Sequence, residues 1–226
     1  MGSAKTQRRT AAAKRPGPDL RAKSRPSRRN GVTTYETILA TAGEVLAEVG
    51  FERLTTNLVC ERAGLTPPAL YRYFPNKYAL LSELARRLMA AQDEAVFAWL
   101  DAGLDEASSV EEAVRNNLEL RKRLRAVTRD FPGGAWILRA IRAIPALQEV
   151  RAASREAVLA RLIESRRVRF PEVSERRLRT AMRLSELMTY AAIEMMADDP
   201  DLEEDLVAEE LAWMATHYFQ GLAARR

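Results

Sequence analysis

The run Tyr71-Arg72-Tyr73, with Lys77 four residues further on, gathers hydroxyl, guanidinium and ammonium donors in about two turns of chain. Donors of these kinds suit a nucleic acid, whose phosphate oxygens accept from hydroxyls and ammonium groups and whose guanine edge offers paired acceptors to a guanidinium. Just upstream, Pro67-Pro68-Ala69 supplies three apolar side chains, the type that senses thymine methyl groups in a major groove. Catalytic chemistry has no comparable nucleus. The chain holds no G-x-S-x-G, no phosphate-cradling P-loop and no metal-ligand spacing. The single His217 and the single Cys60 cannot form a structural zinc site between them, and one cysteine excludes an internal disulfide. The expectation is therefore a binding protein without catalytic residues, metal or cofactor.

The charge distribution points the same way. Residues 1–32 carry ten basic side chains against the single acid Asp19, a balance of +9, whereas the remainder is mildly acidic at −4. A basic segment on an acidic body predicts a polyanionic partner, nucleic acid before a membrane surface. Pro16, Gly17, Pro18 and Pro26, with little apolar content and no periodicity, make residues 1–31 a basic tail expected to be disordered in isolation. No apolar run approaches the roughly 18 residues of a membrane span, so the expected location is the cytoplasm, in association with the nucleoid.

The elements that must position these groups read as helix after helix, with no strand alternation. Thr33 and Glu36 form a capping-box pair ahead of an apolar stripe from Tyr35 to Val49 that stops at Gly50. A short helix follows Thr55 and ends near Ala63-Gly64. Another starts at Thr66, with Pro67 in the tolerant first turn, and ends before Pro75. Asn76 caps a long helix to about Gly103, and further helices are predicted near 109–129, 135–143, 146–167, 174–197 and 203–221. Two short helices joined by a glycine turn, after a longer amphipathic one, are the sequence form of a helix-turn-helix reader. At 100° per residue Leu70 and Phe74 fall on one side of the second short helix, while Pro68 and Arg72 point the opposite way.

The residues Gly50-Phe51, Leu54-Thr55, Val59-Cys60-Glu61-Arg62-Ala63-Gly64-Leu65-Thr66, Leu70-Tyr71-Arg72-Tyr73-Phe74-Pro75-Asn76-Lys77 and Leu80-Leu81 closely resemble the N-terminal domain of the TetR family of transcriptional regulators. The resemblance covers about residues 32–92. It departs from the family's usual pattern at Leu58, where an acid is common, at Cys60, where alanine is common, and at Pro67-Pro68, where polar side chains are common. What it implies is an all-α protein of about nine helices. Its N-terminal three-helix unit (32–92, reading motif about 55–74) is joined by a long helix to a ligand-binding and dimerisation domain (93–226). It also implies DNA contacts from Thr55, Asn57, Thr66, Pro67, Pro68, Ala69, Tyr71, Arg72, Tyr73 and Lys77, with Thr66, Tyr71, Tyr73 and Lys77 on phosphates. The partners it implies are a palindromic double-stranded operator, a second copy of the chain, and a small, mostly apolar effector whose binding releases a repressor from DNA.

In the C-terminal region Leu178, Ala181, Ser185, Met188, Ala192 and Met195 recur at heptad spacing, as do Val207, Leu211, Met214, Tyr218 and Leu222. Narrow stripes with small residues suit close helix packing. The resemblance makes Leu178, Ser185, Met188, Ala192, Val207, Leu211, Met214 and Tyr218 the expected dimer contacts. Trp99, Trp136 and Met182 are the expected lining of the effector pocket. The basic run Arg121, Lys122, Arg123 and Arg125 is read as a solvated helix face.

Overall fold

The computed structural model describes residues 18–23, 26, 29–199 and 201–224, and among them the regular structure is all helical. In chain order the helices are α1 (Arg29–Arg53), α2 (Thr56–Ala63), α3 (Pro67–Tyr71), α4 (Lys77–Asp101), α5 (Val110–Asp130), α6 (Gly134–Ala143), α7 (Gln148–Arg169), α8 (Glu175–Asp198) and α9 (Glu204–Ala224). A single 3₁₀ turn, Pro145–Leu147, leads into α7.

Local chemistry sets most of these boundaries. The side chains of Thr55, Asn76, Ser109 and Ser174 accept from the backbone N–H groups of Leu58, Ala79, Glu112 and Arg177, satisfying donors that a helix start leaves unpaired. Gly64 ends α2 in the left-handed conformation, at φ 64°. The start of α1 differs from the sequence expectation. It lies at Arg29, and Thr33 sits inside the helix with its hydroxyl donating to the Arg29 carbonyl at 3.1 Å. Glu36 faces Arg87 instead of the helix start, so no capping box forms. Gly50 breaks α1 as predicted, at φ 73° and ψ 176°, although one more turn follows to Arg53.

Part of the predicted tail lies on the three-helix head. The Lys23 N–H donates to the Tyr73 carbonyl at 2.8 Å, and the Asn76 side-chain amide donates to the Asp19 carbonyl at 3.0 Å. Leu20 and Ala22 pack on the core beside them. Residues 1–17, 24–25 and 27–28 of that tail lie outside the described residues.

The principal core joins head and body. Ile38, Leu39 and Leu46 of α1, Leu54, Val59 and Cys60, Leu70 and Phe74, and Leu80, Leu81 and Leu84 of α4 form its lower part. Ile137, Leu138 and Ile141 of α6, with Leu147, belong to the same cluster. Each fully buried aliphatic or aromatic side chain contributes about 1.5–3 kcal/mol. A second cluster, with Leu159, Ile163, Phe170, Leu178, Met182 and Phe219, lies where α7, α8 and α9 meet. Leu58, at the family's acidic position, is half-buried against the principal core, and Cys60 fills its slot as a buried thiol pushed up by burial.

Candidate nucleic-acid interface and effector cavity

The short helix α3 is held by one face. Leu70 and Phe74 are fully buried, and the Phe74 ring stacks on Tyr35 of α1 at 4.9 Å between centroids. With that face fixed, the opposite one must point outward, and Thr66, Pro67, Pro68 and Arg72 are all exposed. Proline is admissible at positions 67 and 68 because first-turn N–H groups have no intrahelical partner. The Tyr71 hydroxyl shares a 3.0 Å hydrogen bond with Thr56 Oγ1 at the start of α2, which fixes the angle between the two short helices. Thr55 and Asn57, also exposed, lie beside that junction.

Three of the four expected phosphate ligands have partners inside the protein, Tyr71 through its bond to Thr56. Tyr73 is only 5% exposed and meets Tyr35 edge-on, at 5.8 Å and 87°. Lys77 sets its ammonium over the Phe51 ring at 4.6 Å and reaches the Phe51 carbonyl at 3.4 Å. The Arg72 guanidinium lies over the Tyr73 ring, 5.8 Å from its centroid. Ion pairs brace the unit behind this surface. Arg62 of α2 grips Glu48 of α1 through two bonds of 2.8 and 2.9 Å, holding the Glu48 carboxyl below its ordinary pKa. Arg87 of α4 grips Glu36 at 2.6 and 2.7 Å.

The body contains a cavity of about 140 Å³ among α4, α5, α7 and α8. Trp99 and Met182 are among the residues that line it. Trp136 is not. Its ring lies against Gly50, where a Cβ would stand 3.0 Å from the ring, and the Arg139 guanidinium covers it at 4.8 Å. Three arginines that sequence reasoning did not place there, Arg121, Arg155 and Arg166, are in the wall. Arg121 is a correction to the solvated-face reading, being only 7% exposed. Arg125, one turn on, pairs with Glu204 and Asp205 at the start of α9. The run of basic residues thus turns Arg121 inward and sets Lys122 and Arg125 against the start of α9, an outcome that depends on which sides of α5 face its neighbours.

The heptad stripes divide. Leu178 and Leu211 are 0% and 8% exposed, so both belong to the core of their own subunit rather than to an outer face. Ser185 lines the cavity. Met188, Ala192 and Val207 are half-buried, whereas Met214 and Tyr218 are exposed at 56% and 37%. The outer face of α8 instead presents Leu184, Leu187 and Met195, three large apolar groups at helical spacing, and the first two lie outside the predicted stripe. His217 is exposed and stacks on Trp213 at 5.2 Å. Among the described residues no helix is long and apolar enough to cross a membrane, and no cluster of three or more His, Cys, Asp or Glu is placed to hold a metal.

Comparison with known proteins agrees with this geometry. The family described as "Bacterial regulatory proteins, tetR family" matches residues 38–84. The tetracycline repressor protein class C of Escherichia coli is 48% identical over 54 residues, 24% of this chain and 25% of that repressor. The class A repressor of Escherichia coli, from transposon 1721, is 46% identical over 54 residues and is matched over the same share. These alignments span a quarter of the repressors' length. The fold similarity is broader. A tetR-family transcriptional regulator from Streptomyces coelicolor superposes with a TM-score of 0.63 at 14% identity, covering 85% of this chain and 87% of that one. A TetR variant from Acinetobacter baumannii, solved in complex with minocycline, gives 0.56 at 23% identity over 83% and 97%. Residues 38–84 are thus similar to the DNA-binding domain of the tetR family, and the chain shares the all-helical fold of solved tetR-family regulators.

Proposed function

We propose that this protein is a sequence-specific DNA-binding repressor that holds a palindromic operator as a homodimer and is released by a small molecule. The observation that carries the reading is the outward face of α3. Leu70 and Phe74 anchor one side, leaving Pro67, Pro68 and Arg72 on the side that can enter a major groove. Arg72 is the long donor there and suits the N7 and O6 acceptors of guanine, while the prolines and Ala69 suit thymine methyls. Thr55, Asn57, Thr66 and Tyr71 flank that face and are assigned to the backbone or adjoining bases. Tyr73 has its hydroxyl alone to offer, since its ring is core. Lys77→Ala should weaken all sequences alike.

Dimerisation is supported by the outer apolar residues of α8 and α9, Leu184, Leu187, Met195, Met214 and Tyr218. Such a row on two adjacent helices suits a two-fold interface of four helices. Effector control is supported by the cavity beside α4. Gln92 in the cavity wall and Lys77 at the head lie on that one helix, roughly 22 Å apart at 1.5 Å per residue. A ligand and an operator that favour different tilts of α4 would oppose each other, and that coupling is reciprocal.

Selection of bound duplexes from random DNA by the full chain tests the reading. It should enrich one inverted repeat with a guanine and neighbouring thymines in each half-site. Retention of DNA without any enriched motif would replace the regulator with a sequence-independent DNA-coating protein.

A further inference from the structure

Resting on the effector reading above, we infer that the body cavity is an anion site and that its ligand is a small aromatic or similarly compact carboxylate. The cavity's three arginines lack the counter-charges that buried guanidinium groups ordinarily have. Arg121 of α5 donates from Nη1 to Thr189 Oγ1 at 2.6 Å, and its buried Nε has no partner. Arg155 and Arg166, both on α7, also have buried Nε groups without a partner. Among the described residues none of the three is in an ion pair.

The acids nearby are otherwise engaged. Asp93 accepts from Ser154 Oγ at 2.7 Å, and Glu186 pairs with Arg151 at 3.3 Å. Asp105 attracts Arg166 electrostatically, but it accepts from Ser165 and forms no ion pair with that arginine. Burial pushes Arg121 down to about 10, with no opposing carboxylate to restore it. A bound carboxylate would supply the missing negative charge and accept from these N–H groups.

The rest of the wall sets the size and character of the ligand. Trp99, Leu124, Leu159, Met182 and Phe219 are apolar, and a volume near 140 Å³ is about that of a cavity able to hold one benzene ring. A ring bearing a short carboxylate arm fits both halves. The mostly apolar effector expected from the sequence thereby acquires a required negative charge.

Titration calorimetry of the full chain with phenylacetate, phenylacetamide and phenethylamine tests this, because the three share a body and differ in charge. Phenylacetate should bind at least tenfold tighter than the neutral amide, and the amine should not bind. Arg121→Met should lose at least tenfold for phenylacetate while leaving the weak amide binding unchanged. Arg155→Gln, at a half-exposed position, should lose severalfold and covers the case in which Arg121→Met does not fold. Equal or tighter binding of the amide, undiminished phenylacetate binding in both variants, or no binding of any probe at millimolar concentration would overturn the assignment. Operator binding measured with the same probes separates the two claims. Phenylacetate that binds without changing operator affinity leaves the anion site standing and removes its role as effector site. Release by the amide does the reverse.

Discussion

The Tyr190 hydroxyl on α8 donates to the Gln92 side-chain carbonyl on α4 across 2.9 Å. The Gln92 amide in turn donates to Thr128 Oγ1 on α5 at 2.8 Å, so one buried side chain ties three helices at the cavity wall. Burial drives the Tyr190 hydroxyl above its ordinary pKa, which keeps it a neutral donor.

Gln92→Leu should therefore cost about 1–3 kcal/mol, because it removes the acceptor of the Tyr190 hydroxyl, while Thr128 keeps its bond to the Leu124 carbonyl. For a chain of this size each 1 kcal/mol moves the melting temperature by about 2–4 °C. Thermal unfolding of the variant measures it, and an unchanged midpoint would show that the three-helix tie is dispensable.

Asp93, next along α4, supplies a pH signature. Burial outweighs the Ser154 hydrogen bond and raises its carboxyl above the ordinary 3.8. A raised carboxyl favours the protonated native state, so its stabilisation is complete below that ordinary value and is lost as pH rises through the folded one. Asp93→Asn should consequently melt higher than the parent at pH 7, and the difference should close below about pH 4. A variant that melts lower at pH 7 would mean that an arginine of the cavity compensates the charge.

Gly50 and Trp136 meet where the end of α1 reaches α6. Gly50→Ala faces both a positive φ and a Cβ only 3.0 Å from the indole ring, and should cost about 1–3 kcal/mol. In a cycle with Trp136→Ala the double variant should lose less than the sum of the singles, since removal of the ring relieves the contact but not the φ. Strict additivity would show that backbone strain acts alone.

These contacts also show what could be read in advance. Thr55, Gly64, Asn76 and Ser174 act through neighbours within four residues, so the sequence located most helix ends to within a residue or two. Thr33 misled because a threonine's hydroxyl serves equally well as a cap or as a donor one turn back inside a helix. Helical spacing identified apolar faces on α8 and α9, but spacing cannot tell a residue's own core from a partner's surface. Leu178 and Leu184 are therefore distinguished only by the packing of α7. The inward turn of Arg121 and the seat of Trp136 on Gly50 depend on helices 15 or more residues distant, and no local pattern records them.

Removal of residues 1–17 should weaken operator binding and flatten its salt dependence, because five cations leave with them and no acid does. The preferred sequence and the melting temperature should stay unchanged, since the Asp19 and Lys23 contacts to the head remain. A shifted sequence preference in selection would mean that the segment reads bases.

Base reading by α3 through Arg72 is measured by fluorescence anisotropy titrations of the selected operator and of a shuffled duplex of the same composition. The full chain should prefer the operator and, with roughly 6–10 phosphate contacts, lose about 10³–10⁵ in affinity between 50 and 200 mM salt. Arg72→Ala should lose about 1–3 kcal/mol per half-site on the operator, relax the preference at one base, and leave the shuffled duplex nearly unaffected. Equal affinity of the unaltered chain for the two duplexes, or an equal loss on both in Arg72→Ala, would contradict it.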